Sequence, residues 1–320
     1  VGTVSSFAGK QELLQLKPFQ RVIVDEASQI LEPMLAGLLV QFERFVLIGD
    51  HQQLPAVVVQ DEHSSAVSDP ELTRLGLTNM RNSLFERLYK RCQEQGWDWA
   101  YGRLSQQGRM HSEIMLFPNR FFYQDHLCTL PPEADPLARQ VSPLALQLPS
   151  DASELERQIA TRRFLFLPVQ GDGNGASDKT NREEAVAIAE LIEAFRRVYE
   201  FNDRSLDLRQ IGIITPYRAQ IAQIQEVLSQ RGLHFTGLTI DTVERYQGGA
   251  RDIILLSLCT NSAWQLDTLI SRSEEGVDRK LNVALTRARE HVVVLGNPEF
   301  LAADPTYREL MEMGRKGGKG

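Results

Sequence analysis

The chain has 320 residues, enough for about two domains, and its 42% hydrophobic and 24% charged content is that of a globular protein. No run of 18 or more apolar residues occurs and the start, Val1-Gly2-Thr3, has no basic and apolar leader, so no transmembrane helix, secretory signal or membrane partner is expected. The net charge of −7 argues against a globally basic surface while 35 Lys and Arg leave room for a local basic channel, and the odd set Cys92, Cys128 and Cys259 fits a reducing, cytoplasmic setting and no metal site.

Residues 1–20 read as a short strand or loop, followed by the piece from Gln11 to Leu16 and by Pro18. The apolar run Val22-Ile23-Val24 suits a strand buried on both faces of a parallel sheet, and it runs straight into Asp25-Glu26-Ala27-Ser28-Gln29. A helix is expected over residues 30–40, with Pro33 near its start, and a second buried strand at Phe45-Val46-Leu47-Ile48 leads into Gly49-Asp50-His51-Gln52-Gln53-Leu54-Pro55. Residues 60–80 are polar and loop-like; residues 83–93 have helical spacing with Ser83 as N-cap. After Gln107-Gly108-Arg109-Met110-His111 comes a Phe-rich run from Ile114 to Tyr123.

Residues 124–180 are the least regular, marked by six prolines and the Gly171–Gly175 cluster, with one strand expected at Arg163–Leu167. Apolar residues at three- and four-residue steps predict a helix from Asn181 to Tyr199. Strands follow at Ile211–Thr215, Asp252–Ser257 and His291–Gly296, with a helix from about Ala219 to Gln230 between the first two, so a second parallel sheet is expected. The segment Leu281–Arg289 has helical propensity and puts Arg287 and Arg289 on different faces; the tail Arg315–Gly320 reads as disordered.

In open α/β sheets ligands bind at the carboxyl ends of the strands, which is where Asp25 and Glu26 would lie. An acidic pair there suits phosphoryl chemistry, one carboxylate holding Mg²⁺ and the other orienting an attacking water. Gln53 follows the second strand and could sense a terminal phosphate, while Arg109 and Arg287 offer the side chain best shaped for phosphate oxygens. Each arginine alone reads as a solvated surface residue; the functional reading rests on the ensemble.

The ordered series Val22–Gln29, Gly49–Pro55, Gln107–His111, Ile211–Tyr217, Asp241–Asp252 and Leu281–Arg289 resembles the motif set of superfamily 1 helicases, in the branch of the nonsense-mediated-decay helicase and its bacterial relatives. The resemblance spans essentially the whole chain. It implies an α/β protein of two RecA-like parallel-sheet domains, residues 1–103 and 104–320, with ATP in the cleft between them. It also implies a helicase or translocase that couples ATP hydrolysis to movement on single-stranded RNA or DNA, with that nucleic acid and ATP as partners and the protein monomeric. By position, Asp25 resembles the Mg²⁺ ligand and Glu26 the residue that activates water. Gly49, Asp50 and Gln53 match the γ-phosphate-sensing motif, and Arg109 and Arg287 match the two arginines presented to the γ-phosphate. Gln247 and Gly248 match nucleotide-site residues, Thr215, Pro216 and Tyr217 a segment near the nucleic-acid backbone, and Thr242 and Gln247 the motif coupling the two sites.

Three departures stand out. No Gly-x-x-x-x-Gly-Lys-[Ser/Thr] loop occurs; in the family it lies upstream of Asp25, so the first domain is expected to be N-terminally truncated and the chain alone to be inactive. Gly108 stands where the family usually has Tyr, and Ala250 where it has Glu, which predicts poor selection among nucleoside triphosphates. The competing readings are a nucleic-acid-binding module that has lost catalysis along with the loop, and a RecA-like ATPase that remodels proteins.

Overall fold

The computed structural model describes residues 1–10, 12, 19–58, 60–171, 179–233, 236–246 and 248–316. Most of the Gln11–Leu16 piece and of the Gly171–Gly175 cluster, and the end of the tail, lie outside the described residues. The chain divides into two compact units, Val1–Leu104 and Ser105–Gly320, both of mixed α/β structure with parallel strands.

The first unit opens on a short helix, Val4–Ala8, capped by the Thr3 hydroxyl, where a strand or loop was expected. Strands β1 (Arg21–Val24) and β2 (Arg44–Leu47) pair in parallel from Arg21 opposite Arg44 to Val24 opposite Leu47. The helices Glu32–Leu39 and Leu84–Glu94 cover one face, packing Leu35, Leu39 and Leu84 against Val24 and Ala27. The guanidinium of Arg87 locks these helices together by donating Nε–H to Glu32 Oε2 at 2.8 Å and Nη2–H to Oε1. The strands are not buried on both faces as their apolar runs predict: Ile23 is 69% exposed and Val46 54% exposed. A helix layer lies on one face, and the described residues provide no second layer for the other. Within the stretch read as loop, Pro70–Arg74 forms a short helix under the Asp69 cap.

The second unit is built on a five-stranded, all-parallel sheet: β5 (Phe164–Pro168), β6 (Ile211–Ile214), β7 (Thr239–Asp241), β8 (Arg251–Ser257) and β9 (Ala288–Gly296), in the order β5-β9-β8-β6-β7. Two further two-residue strands, β3 (Gln106–Gln107) and β4 (Cys128–Thr129), pair in parallel on their own. Period-two alternation assigns each side chain a face. Leu165, Ile211, Ile213, Ile253, Leu255, Val293 and Leu295 pack with the helices Arg182–Phe201 and Arg218–Gln230. The opposite parity, as at Phe164 and Phe166, faces the helices Ser112–Phe122 and Pro305–Lys316: the Phe117 and Phe164 rings stack at 6.0 Å, and Arg315 lies over Phe166.

Three elements depart from expectation. The irregular stretch contains a helix, Glu154–Thr161, held by a complete capping box between Ser153 and Glu156. Arg315 and Lys316 complete the helix that begins at Pro305, so this part of the tail is ordered by its packing on β5. The helix in the Leu281–Arg289 segment runs from Arg279 and stops at Leu285, leaving Arg287 in a turn and Arg289 in β9. No described helix is long and apolar enough to cross a membrane.

Candidate active site

Parallel, in-register pairing of β1 and β2 sets their carboxyl ends side by side, so the polar segments that leave them are neighbours. Ile48 N–H donates to Val24 O and Ala27 N–H donates to Ile48 O, each at 2.8 Å. Gly49 then lies against Ser28: a Cβ at this position would meet the Ser28 backbone nitrogen at 2.9 Å, an approach only glycine permits. The Ser28 hydroxyl accepts from Asp50 N–H at 3.2 Å, and the Asp50 carboxylate accepts from Gln52 N–H at 3.0 Å and Gln53 Nε2 at 2.8 Å. The sequence-predicted Asp25, Glu26, Gly49, Asp50 and Gln53 thus belong to one corner of the first unit.

Glu26 is a non-glycine residue in the left-handed region, with φ 53°. Such backbone costs about 1–3 kcal/mol and persists where its surroundings impose it. Here Asp25 Oδ1 accepts Glu26 N–H at 3.0 Å and Gln29 Nε2 donates to Glu26 Oε2 at 2.6 Å. Both acidic residues remain exposed. The corner therefore presents two carboxylates on a braced turn. Among the described residues no three His, Cys, Asp or Glu side chains form a metal cage. Two exposed carboxylates are a donor set of the kind Mg²⁺ uses, since Mg²⁺ keeps several waters and is commonly held by one or two carboxylates together with substrate phosphates.

In the second unit the two arginines converge, although 178 positions separate them in sequence. Arg109 Nη1 donates to Thr286 O at 3.1 Å. Arg287, only 2% exposed, donates Nε–H to Val283 O at 3.1 Å and reaches Gly249 O and Thr286 Oγ1 with its Nη atoms. Arg287 is thus a buried residue held by carbonyls, and the expectation of a solvated surface arginine is wrong for it; a guanidinium has no acceptor of its own and must find them when buried. Gly248, in the left-handed region at φ 85°, belongs to the same loop, whereas Gln247 lies outside the described residues. This corner faces the amino ends of β8 and β9, where Arg251 pairs with Ala288.

His111 begins the helix after Arg109. Its Nδ1 accepts Glu113 N–H at 3.2 Å and its Nε2 lies 2.9 Å from Ser142 O, an arrangement that requires the proton on Nε2. Burial first, and the Arg163 charge second, push its pKa down, so it stays neutral.

Thr215, Pro216, Tyr217 and Thr242 lie at the other, carboxyl edge of the sheet, after β6 and β7. Thr215 is fully buried and Tyr217 is 9% exposed, so of this segment Pro216 is the more accessible. Thr215 Oγ1 has no partner among the described residues and lines a cavity of about 30 Å³ walled by Leu256, Leu258, Leu281 and Tyr307. At the same edge lies a buried carboxyl that the sequence reading did not single out. Glu184 accepts from Ser257 Oγ at 2.6 Å and from Cys259 N–H at 3.0 Å, and Cys259 is left-handed at φ 49°. Burial pushes the Glu184 pKa from 4.5 up to about 7, against the opposing pull of the Ser257 and Cys259 bonds. Its only sequence signal is the Asn181-x-x-Glu184 spacing of a helix start, which does not distinguish a buried carboxyl from a solvated one.

Two family profiles, each described as an AAA domain, match the chain, one over residues 80–299 and one over residues 1–61. Among curated proteins it is 34% identical over 313 residues to the DNA replication ATP-dependent helicase/nuclease DNA2 of Bos taurus, covering 92% of this chain and 26% of that protein. It is 30% identical over 316 residues to a Regulator of nonsense transcripts 1 homolog of Drosophila melanogaster, covering 95% of this chain and 23% of that protein. It is 28% identical over 317 residues to an uncharacterized ATP-dependent helicase of Methanocaldococcus jannaschii, covering 96% of this chain and 40% of that protein. The chain thus spans less than half the length of each of these relatives. With a matched AAA domain over most of its length and the ordered motifs on parallel α/β units, it belongs to the superfamily 1 helicases.

Proposed function

We propose that the complete protein hydrolyses ATP with Mg²⁺ and couples hydrolysis to movement on single-stranded RNA or DNA. The observation that carries this reading is the convergence of Arg109 and Arg287, distant in sequence, on the Thr286–Gly249 corner. Bound ATP supplies the phosphoanhydride whose cleavage drives the cycle. Asp25 offers a carboxylate to Mg²⁺. Glu26, braced by Gln29, orients and accepts a proton from the attacking water. Gln53, held to Asp50, reports the terminal phosphate. Arg109 and Arg287 stabilise charge that develops on it, an effect worth on the order of 10³–10⁵ in rate for arginines of this type. The segment Thr215–Tyr217, through its accessible Pro216, and Thr242 form the nucleic-acid side, at the opposite edge of the second sheet from the arginines.

The test is Glu26→Gln in the complete protein. Nucleotide binding stays near normal and hydrolysis is suppressed if Glu26 activates water; lost binding with normal residual turnover refutes the role. Stimulation of wild-type turnover by single-stranded nucleic acid separates this reading from a protein-remodelling ATPase, and absence of any turnover favours a binding module.

A further inference from the structure

The turn that carries Arg109 is built largely by a residue far from it in sequence. Gln140 lies in the proline-rich stretch after β4 and is 5% exposed. Its side-chain Nε2 donates to Gln107 O at 2.8 Å and to Met110 O at 2.9 Å, the two carbonyls that bracket Gly108-Arg109. Its Oε1 accepts Leu130 N–H at 2.9 Å. Its backbone carbonyl accepts Ser112 N–H at 2.8 Å, in the first turn of the helix that follows the motif. From within, Gln107 Oε1 accepts Arg109 N–H at 3.0 Å and Met110 N–H at 2.8 Å. Asp135, 7% exposed, holds Gln140 in turn by accepting its backbone N–H at 3.0 Å.

Glutamine suits this position for a chemical reason. The site presents two acceptors and one donor, and a primary amide answers all three at once with its two N–H groups and one oxygen. A glutamate would set a carboxylate against two carbonyls, and an apolar residue would leave buried backbone groups without partners. Arg109 extends from this turn to Thr286 O through a long side chain, so its guanidinium is only as well placed as the backbone beneath it.

We propose that Gln140 is a positioning residue for Arg109: it clamps the Gln107–Met110 turn so that the guanidinium is aimed at the terminal phosphate, and its removal slows hydrolysis without weakening nucleotide binding. The proposal rests on the reading of Arg109 as a phosphate contact.

The experiment measures kcat and KM for ATP in the complete protein, at saturating single-stranded nucleic acid, for wild type, Gln140→Met, Arg109→Ala and the double variant. Gln140→Met, close in volume, is expected to lower kcat about tenfold to a hundredfold, with KM within about twofold, because misplacement of a catalytic group is felt chiefly in turnover. In the Arg109→Ala background it is expected to cost nothing further, since the two act as one unit. Should Gln140→Met fail to fold, Asp135→Asn weakens the same clamp from outside, and a smaller kcat loss with the same non-additivity is expected. Unchanged kcat in these variants, or a full further loss in the Arg109→Ala background, overturns the proposal. If Arg109→Ala itself leaves kcat unchanged, the assignment of Arg109 has failed, and the role given to Gln140 falls with it.

Discussion

Glu184→Gln is the perturbation whose magnitude follows most directly from the structure. The carboxyl group is wholly buried, accepts from Ser257 and Cys259, and has its pKa raised from 4.5 to about 7, chiefly by burial. A group whose folded pKa exceeds its unfolded value contributes stability that is full below the unfolded value and is lost as pH rises through the folded one. The window for Glu184 therefore runs from 4.5 to about 7. At about pH 5.5 the folded carboxyl is protonated while the unfolded one is mostly ionised, so linkage leaves about 2 kcal/mol that has vanished by about pH 8.5. Glutamine cannot ionise. Its mismatch with the Cys259 N–H adds an offset of about 1 kcal/mol that does not depend on pH. Relative to wild type, Glu184→Gln should accordingly be destabilised at the lower pH and gain about 2 kcal/mol on passing to the higher, or roughly 4–8 °C in Tm for a unit of this size. Trp264 is the one tryptophan of the second unit, Trp97 and Trp99 belonging to the first, so denaturation in a Trp97→Phe/Trp99→Phe background reports that unit selectively. A stability difference that stays constant across the window would show that Glu184 does not titrate there and would refute the reasoning.

Three other outcomes can be checked. Gly49→Ala drives a methyl group into the Ser28 backbone nitrogen, 2.9 Å away, and should cost about 1–3 kcal/mol in thermal denaturation of the first unit; a neutral result would mean the two loops part freely. Asp278 caps the helix Arg279–Leu285, which leads into Arg287, through Lys280 N–H and Leu281 N–H and accepts the buried Tyr307 hydroxyl at 3.2 Å. Asp278→Ala should destabilise the second unit by about 1–3 kcal/mol in urea titration, and Tyr307→Phe by less, since that change strands no donor. At Gly108, where an adenine-stacking tyrosine is the family habit, a Cβ would meet Leu130 Cδ1 at 2.8 Å. Leu130 thus occupies the space beside the turn, and ATP and GTP hydrolysis by the complete protein should be similar; a strong preference for ATP counts against this.

The two halves of the candidate site differ in how far the sequence discloses them. Val22–Val24 and Phe45–Ile48 announce their strands by composition, and the acidic and polar residues that follow are placed by the chain itself, so the Asp25–Gln53 corner is legible. The Ser153–Glu156 spacing is that of a capping box, but the surrounding prolines suggest loop. The burial of Arg287 is not legible, because helical propensity runs through it whereas the chain leaves the helix at Leu285 to enter β9. Nothing local marks Gln140, since its importance consists entirely of contacts with Gln107, Met110, Leu130 and Ser112.

Periodicity and motif order, both properties of short windows, were sufficient to determine the alternation of strands and helices, the parallel sheets and the family. Burial, the exposed face of β1 and β2, the meeting of Arg109 with Thr286 and the strained turns at Glu26 and Cys259 were decided only by tertiary structure. The reason is that a side chain's chemistry is written in its own residue, while its partners and its dielectric are supplied by residues brought near it only by the fold.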